Sequence, residues 1–232
     1  MLKIFISGLT AAGKTTHAKL LASNYNLQYV SASNILLKRA NINTSTLSKG
    51  FWVSPAASAL QSQRSSDRSI DIWVDQQMIE AAAYTRDAIF DSWGMPWLSA
   101  EPGLRIWLES SILSRWWKAI ISQDSYADND SHRILTEMNK KDNFTREYFL
   151  SNYGFDLFQD YEVFDYVLDI TAFISAPTLE ASKLSISKSH ALIIAIVKYH
   201  ISQSSEDFKN LHNQIIKYGK GIFKKSPLGL DP

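Results

Sequence analysis

Cysteine is absent from the 232 residues, which excludes disulfides, thiolate metal sites and cysteine nucleophiles. An excess of charge is absent too: 24 Lys+Arg against 23 Asp+Glu leave a formal net charge of +1. A dedicated nucleic-acid binder leans on surplus cation, so no nucleic-acid partner is expected. No apolar run approaches the roughly 20 residues of a membrane-spanning helix. The apolar start, residues 1–8, is too short for a signal peptide. These absences predict a cytoplasmic protein without a membrane partner. Internal repeats and low-complexity tracts are missing as well. Hydrophobic residues at 45% and charged residues at 20% are ordinary for a folded protein. A chain this long can bury roughly 70% of its unfolded surface, so it needs no staple.

Short apolar runs alternate with amphipathic stretches, the rhythm of a parallel sheet covered by helices. Strands are expected at residues 3–7, 27–30, 88–91, 104–108 and 165–169. Helices are expected at 14–23, 71–84 and 112–121, with a long one at 178–200 that a Ser-rich middle could break. A last one should run from the Ser205-Glu206-Asp207 cap to Gly219. Residues 40–68 and 122–132 are polar and loop-like, and the tail 220–232 reads as mobile.

The strongest signal is Gly8-Leu9-Thr10-Ala11-Ala12-Gly13-Lys14-Thr15-Thr16. It satisfies G-x-x-x-x-G-K followed by Ser or Thr, between an apolar strand and a helix. Glycines let the backbone curl so that several N–H groups face one phosphate, and the helix N-terminus adds a favourable dipole. Gly8, Thr10, Ala11, Ala12, Gly13, Lys14, Thr15 and Thr16 are therefore the expected triphosphate cradle, with ATP as the nucleotide. Lys14 can bridge the outer phosphates, and the Thr15 hydroxyl can ligate Mg²⁺. Asp91 closes the strand at 88–91, where an acid reaches the shell of that metal ion; a strand-terminal turn aspartate is the plainer reading.

Further along, Tyr29-Val30-Ser31-Ala32-Ser33-Asn34-Ile35, Ile70-Asp71 with Val74-Asp75, and Leu104-Arg105-Ile106-Trp107-Leu108 follow in order. Arg146, Tyr153-Gly154-Phe155-Asp156 and Tyr166-Val167-Leu168-Asp169-Ile170-Thr171 complete the series. Together with the glycine loop, these resemble the cytidylate-kinase-like nucleoside monophosphate kinases over residues 1 to about 175. The resemblance implies an α/β P-loop kinase fold: five parallel strands in the order 2-3-1-4-5, flanked by helices, with an acceptor-binding insertion and a small lid. The core would be residues 1–175, with the acceptor region at 34–84 and the lid at 115–150. Residues 176–202 would be the core's C-terminal helix and 203–232 an extension. It implies transfer of the γ-phosphoryl of ATP, helped by Mg²⁺, to a small acceptor by a monomer or weak dimer. Lys14, Asp91, Arg115 and Arg146 would be catalytic, with Lys118 and Lys141 as further lid cations. Asn34, Asp71, Asp75 and Trp93 would face the acceptor, although Asp71 and Asp75, four apart on one helix face, read equally as exposed helix carboxylates.

Departures from the family pattern are informative. Leu36-Leu37, Gln76-Gln77 and Trp93 stand where the family carries arginines that clamp a phosphate dianion, and Asn34 stands for an aspartate. Arginine offers a cation with paired donors; tryptophan offers a π-face and one N–H. Either Lys38, Arg39, Arg64 or Arg68 takes over the clamp, or the acceptor is flatter and less anionic. Trp52, Trp73, Trp93 and Trp97 fall in or beside the acceptor region, with core packing as their other reading. A specialised small-molecule kinase, and a non-catalytic nucleotide-binding regulator, remain as alternatives. The five histidines show no metal-ligand spacing and read as scattered surface residues.

Overall fold

The computed structural model describes residues 1–43, 51, 55–123, 128–218 and 222–225. Its sheet has the order β2-β3-β1-β4-β5-β6. The strands are β1 (Lys3–Gly8), β2 (Gln28–Ser31), β3 (Ala88–Asp91), β4 (Leu104–Glu109), β5 (Tyr166–Asp169) and β6 (Phe223–Lys225). Around them lie α1 (Lys14–Tyr25), α2 (Ala32–Arg39), α3 (Pro55–Ser66), α4 (Ser69–Tyr84) and α5 (Met95–Leu98). There follow α6 (Ile112–Gln123), α7 (Asp128–Tyr153), α8 (Leu179–Ser202) and α9 (Ser205–Tyr218).

β1 pairs in parallel with both β3 and β4, so it is central and all six of its residues are buried. Its two faces feed different layers, as the two-residue period of a strand requires. Ile4 and Ile6 join Leu21 of α1 and Leu192, Ile193 and Ile196 of α8. Phe5 points the other way, stacks on Phe90 at 5.0 Å and joins Leu37 of α2 and Met78 of α4. The first five strands are parallel and take the expected order 2-3-1-4-5.

Two expectations are corrected. A sixth strand, β6, adds antiparallel to β5 inside the stretch read as a mobile tail. Its cause is apolar burial: Ile222 and Phe223 belong to the main core, and Phe223 packs against Tyr166 at 5.8 Å. The polar stretch 40–68 contains α3, and α7 begins within 122–132; residues 44–50, 52–54 and 124–127 of those stretches lie outside the described residues. The long helix expected at 178–200 is α8, which runs without a break; its Ser185 and Ser189 are buried, and Ser189 bonds His17 of α1. α9 packs beside it through Leu211, which joins the same core.

Candidate active site

Strand ends build the site. Gly8 leaves β1 beside β4 with φ 145°, and a Cβ there would lie 2.5 Å from the Leu108 carbonyl oxygen, so only glycine fits. Gly13 at φ 108° then turns the chain into α1, which presents its free N–H groups to the loop. Thr15 follows in the first turn, and its hydroxyl donates to Asp91 Oδ2 at 2.6 Å. Tyr29 OH donates to the same oxygen at 2.8 Å. A hydroxyl paired with the buried Asp91 carboxylate beside an anion cradle is a hard-oxygen donor set that fits Mg²⁺. The loop geometry likewise fits a nucleotide's phosphates.

Lys14 donates to the Leu9 carbonyl at 2.9 Å and holds its ammonium 5.0 Å from the centroid of the Trp93 ring. Burial pushes its pKa down to about 8, against the pull of Asp91 and Asp142. Arg115, buried on α6, donates to the Thr10 carbonyl at 3.0 Å, to Ser110 at 3.1 Å and to Asp142 at 2.6 Å. Asp142 also accepts the Thr10 N–H at 3.1 Å. Lys118 donates to Ser110 Oγ at 3.3 Å, and burial, with Arg115 nearby, lowers its pKa to about 8. Lys141 is pushed down to about 7 by burial, then by Arg64 and Lys14. Charged residues of α6 and α7 therefore gather beside the loop.

Two cavities flank this cluster. The larger, about 490 Å³, is walled by the loop and α1, by Lys118 and Ile121 of α6, and by Leu179, Ser182 and Ser185 of α8. The smaller, about 70 Å³, lies between α2, α4 and α7 and is lined by Arg64, Asp71, Asp75, Trp93, Lys141 and Phe149, among others. Asp71 and Asp75 sit one helical turn apart on the buried face of α4. Asp71 accepts from Arg64 at 2.7 Å, and burial raises its pKa against that partner. Asp75 accepts both tyrosine hydroxyls, Tyr148 at 2.7 Å and Tyr153 at 3.1 Å, yet burial still raises it to about 6.

Of the expected site residues, Lys14 and Thr15 line the larger cavity and Asp71, Asp75 and Trp93 the smaller, while Asp91 and Arg115 are tied to the loop through Thr15 and Thr10. Arg146 is engaged elsewhere: its guanidinium forks onto Asp156 at 2.8 and 2.5 Å and lies over Phe158. Asn34 is exposed, and Ala32, Ser33 and Leu36 are the α2 residues that line the smaller cavity. Trp97 stacks on Phe155 at 4.7 Å and donates to the Asp160 carbonyl, so it is packing. Trp73 carries Arg39 over its ring, and Trp52 lies outside the described residues. His17 is not a surface residue: it is 2% exposed, bonded to Ser189 Oγ, and held neutral by burial that lowers its pKa to about 3.

Sequence reasoning missed Asp142, Thr145, Tyr148 and Phe149 in α7. Only their i, i+3 and i, i+4 spacing on that helix could have marked them as one face.

The profile of the cytidylate kinase-like family matches residues 3–172. A cytidylate kinase of Sulfolobus acidocaldarius is 31% identical over 172 residues, covering 72% of this chain and 85% of the relative. A cytidylate kinase of Desulfurococcus amylolyticus is 26% identical over 173 residues, covering 73% and 84%. Among solved structures, an uncharacterized protein from Eubacterium ventriosum superposes with a TM-score of 0.53 at 16% identity. That match covers 87% of this chain and 99% of the other, and it bears on the fold alone.

Proposed function

The chain belongs to the cytidylate kinase-like family, and from that premise we propose that it is an ATP-dependent kinase acting on a small acceptor. One observation carries the reading: Lys14 links the walls of the two cavities. Lys14 lines the larger cavity, while its ammonium lies over the ring of Trp93, which lines the smaller. A cation so placed would neutralise a phosphoryl group passing from the nucleotide side to the acceptor side. In phosphoryl transfer the protein supplies position and charge neutralisation, with little covalent chemistry of its own. Residues 8–16 would hold the triphosphate, and Thr15 with Asp91 would hold Mg²⁺, which neutralises phosphate charge. Arg115 adds a fixed cation on the lid side, and Lys141, with its pKa pushed down to about 7, a titratable one. Arg146, tied to Asp156, would act by anchoring the end of α7.

A second reading concerns the acceptor. The smaller cavity is lined by two carboxylates, Asp71 and Asp75, and two cations, Arg64 and Lys141. That balance offers a phosphate dianion no surplus positive charge, and Arg64 is already paired with Asp71. Trp93 and Phe149 supply aromatic faces in the same wall. These features favour a flat acceptor carrying hydrogen-bond donors and less negative charge than a nucleoside monophosphate.

The test is ADP release from ATP and Mg²⁺ over a panel of nucleoside monophosphates and uncharged aromatic alcohols, with Lys14→Ala as control. Lys14→Ala should fold and turn over on the order of 10²–10³-fold slower, the loss typical of one preorganised charge contact. Full activity of Lys14→Ala would refute the site. A wild-type protein that binds ATP yet transfers to no acceptor would be a nucleotide-binding regulator instead.

A further inference from the structure

Asp142 is 3% exposed and has both carboxylate oxygens engaged at the phosphate loop. Oδ1 accepts the Thr10 N–H at 3.1 Å, and Oδ2 accepts Arg115 Nη1 at 2.6 Å. The same Nη1 donates to the Thr10 carbonyl at 3.0 Å, so the Thr10 backbone is held at both its N–H and its carbonyl. The carboxylate also acts electrostatically on Lys14 and Lys141. A loop N–H and a guanidinium donating to one anionic oxygen pair, with two ammonium groups acting on it through charge alone, resemble the surroundings of a bound phosphoryl group. Here the anion belongs to the protein.

We propose that Asp142 is a positioning residue that stands in for the terminal phosphoryl group, holding Arg115 and the Thr10 peptide aligned, and is exchanged for that group when the triphosphate enters. This rests on the kinase reading above. The exchange follows from counting donors and charges. The Thr10 N–H and Arg115 Nη1 each point at Asp142, and a γ-phosphoryl group arriving beside a buried carboxylate meets like-charge repulsion. The incoming group carries more charge than the carboxylate and so takes over the cations. A diphosphate lacks that group and leaves the Asp142 contacts in place. α7 would then be released from the loop only by a triphosphate, which couples the lid helix to the chemical state of the nucleotide.

Calorimetric titration of the full chain with a non-hydrolysable ATP analogue and with ADP, each with Mg²⁺, tests the exchange. Asp142→Asn keeps an acceptor for the Thr10 N–H but removes the competing charge. It should bind the analogue roughly tenfold more tightly, equivalent to about 1.4 kcal/mol, with ADP affinity changed less than about twofold. Asp142→Glu, which retains the charge, should keep the wild-type ratio of analogue to ADP affinity. Equal changes for analogue and ADP, or weaker analogue binding, would overturn the exchange and leave Asp142 a structural clamp. Should Asp142→Asn fail to fold by circular dichroism, Asp142→Ser is the second variant, and failure of both also means a clamp. Failure of the kinase reading looks different: wild type and Lys14→Ala would then bind the analogue equally.

Discussion

Asp75 should make the protein less stable at neutral pH than its asparagine variant. The carboxylate is 6% exposed on α4, and two tyrosine hydroxyls donate to one of its oxygens. Burial dominates those bonds and raises the pKa to about 6, with the neighbouring Asp71 adding to the rise. A free aspartate titrates near 3.9, so the difference is about two, equivalent to about 3 kcal/mol at 1.36 kcal/mol for each. The native state therefore holds this proton more tightly than the unfolded chain does. Its contribution to stability is complete below pH of about 4 and is lost as pH rises through about 6. Asparagine leaves a carbonyl for both tyrosines and cannot ionise. Asp75→Asn should be more stable than wild type by up to about 3 kcal/mol at pH 7.5, and the two should converge near pH 4. Urea unfolding of both proteins at pH 4, 5, 6 and 7.5, with unchanged m-values, reads the difference directly. An asparagine variant that is equal or weaker at pH 7.5, or a gap that widens as pH falls, would refute the reasoning.

Trp93→Arg should raise kcat/KM for CMP, UMP and AMP by about tenfold or more, since one charge-assisted contact is worth about 1.5–3 kcal/mol; high wild-type efficiency on CMP would sink the claim of a less anionic acceptor. Phe223→Ala should cost about 3–5 kcal/mol if β6 belongs to the core, and a loss below about 1 kcal/mol in denaturant unfolding would return this strand to a loose tail.

What the sequence made legible is what acts locally. The glycine loop announces itself because every group it needs lies within nine consecutive residues flanked by a strand and a helix. Parallel strands buried on both faces show as apolar runs, and their order follows from the family likeness. Asp142 was invisible because its partner Thr10 lies 132 positions away, and nothing near it in the chain marks a carboxylate on α7 as a loop ligand. β6 escaped because three residues cannot display a two-residue period. Trp93 and Trp97 look alike in the sequence, four positions apart. Packing separates them, since Trp97 is enclosed by Phe155, Phe164 and Trp107, whereas Trp93 borders the smaller cavity. His17 reads as polar, yet the fold withholds its charge by burying it against Ser189 and His190.

Trp93 joins two parts of the site that the motifs treat separately. Its ring lies under the Lys14 ammonium at 5.0 Å, a cation–π contact that favours the charged lysine by roughly 0.5–2 kcal/mol depending on how dry the site is. Lys14 already has its pKa lowered to about 8 by burial. An arginine at 93, where the family likeness places one, would replace an attractive π-face by a like charge beside a partly desolvated ammonium. Lys14 would then titrate lower still unless an acceptor phosphate lay between the two cations to neutralise both. Arginine at this position thus suits a dianionic acceptor and works against Lys14 without one, whereas tryptophan keeps Lys14 charged with no acceptor charge at all. The residue at 93 and the charge of the acceptor are therefore coupled through Lys14, and the substitution here is consistent with an acceptor that brings little charge of its own.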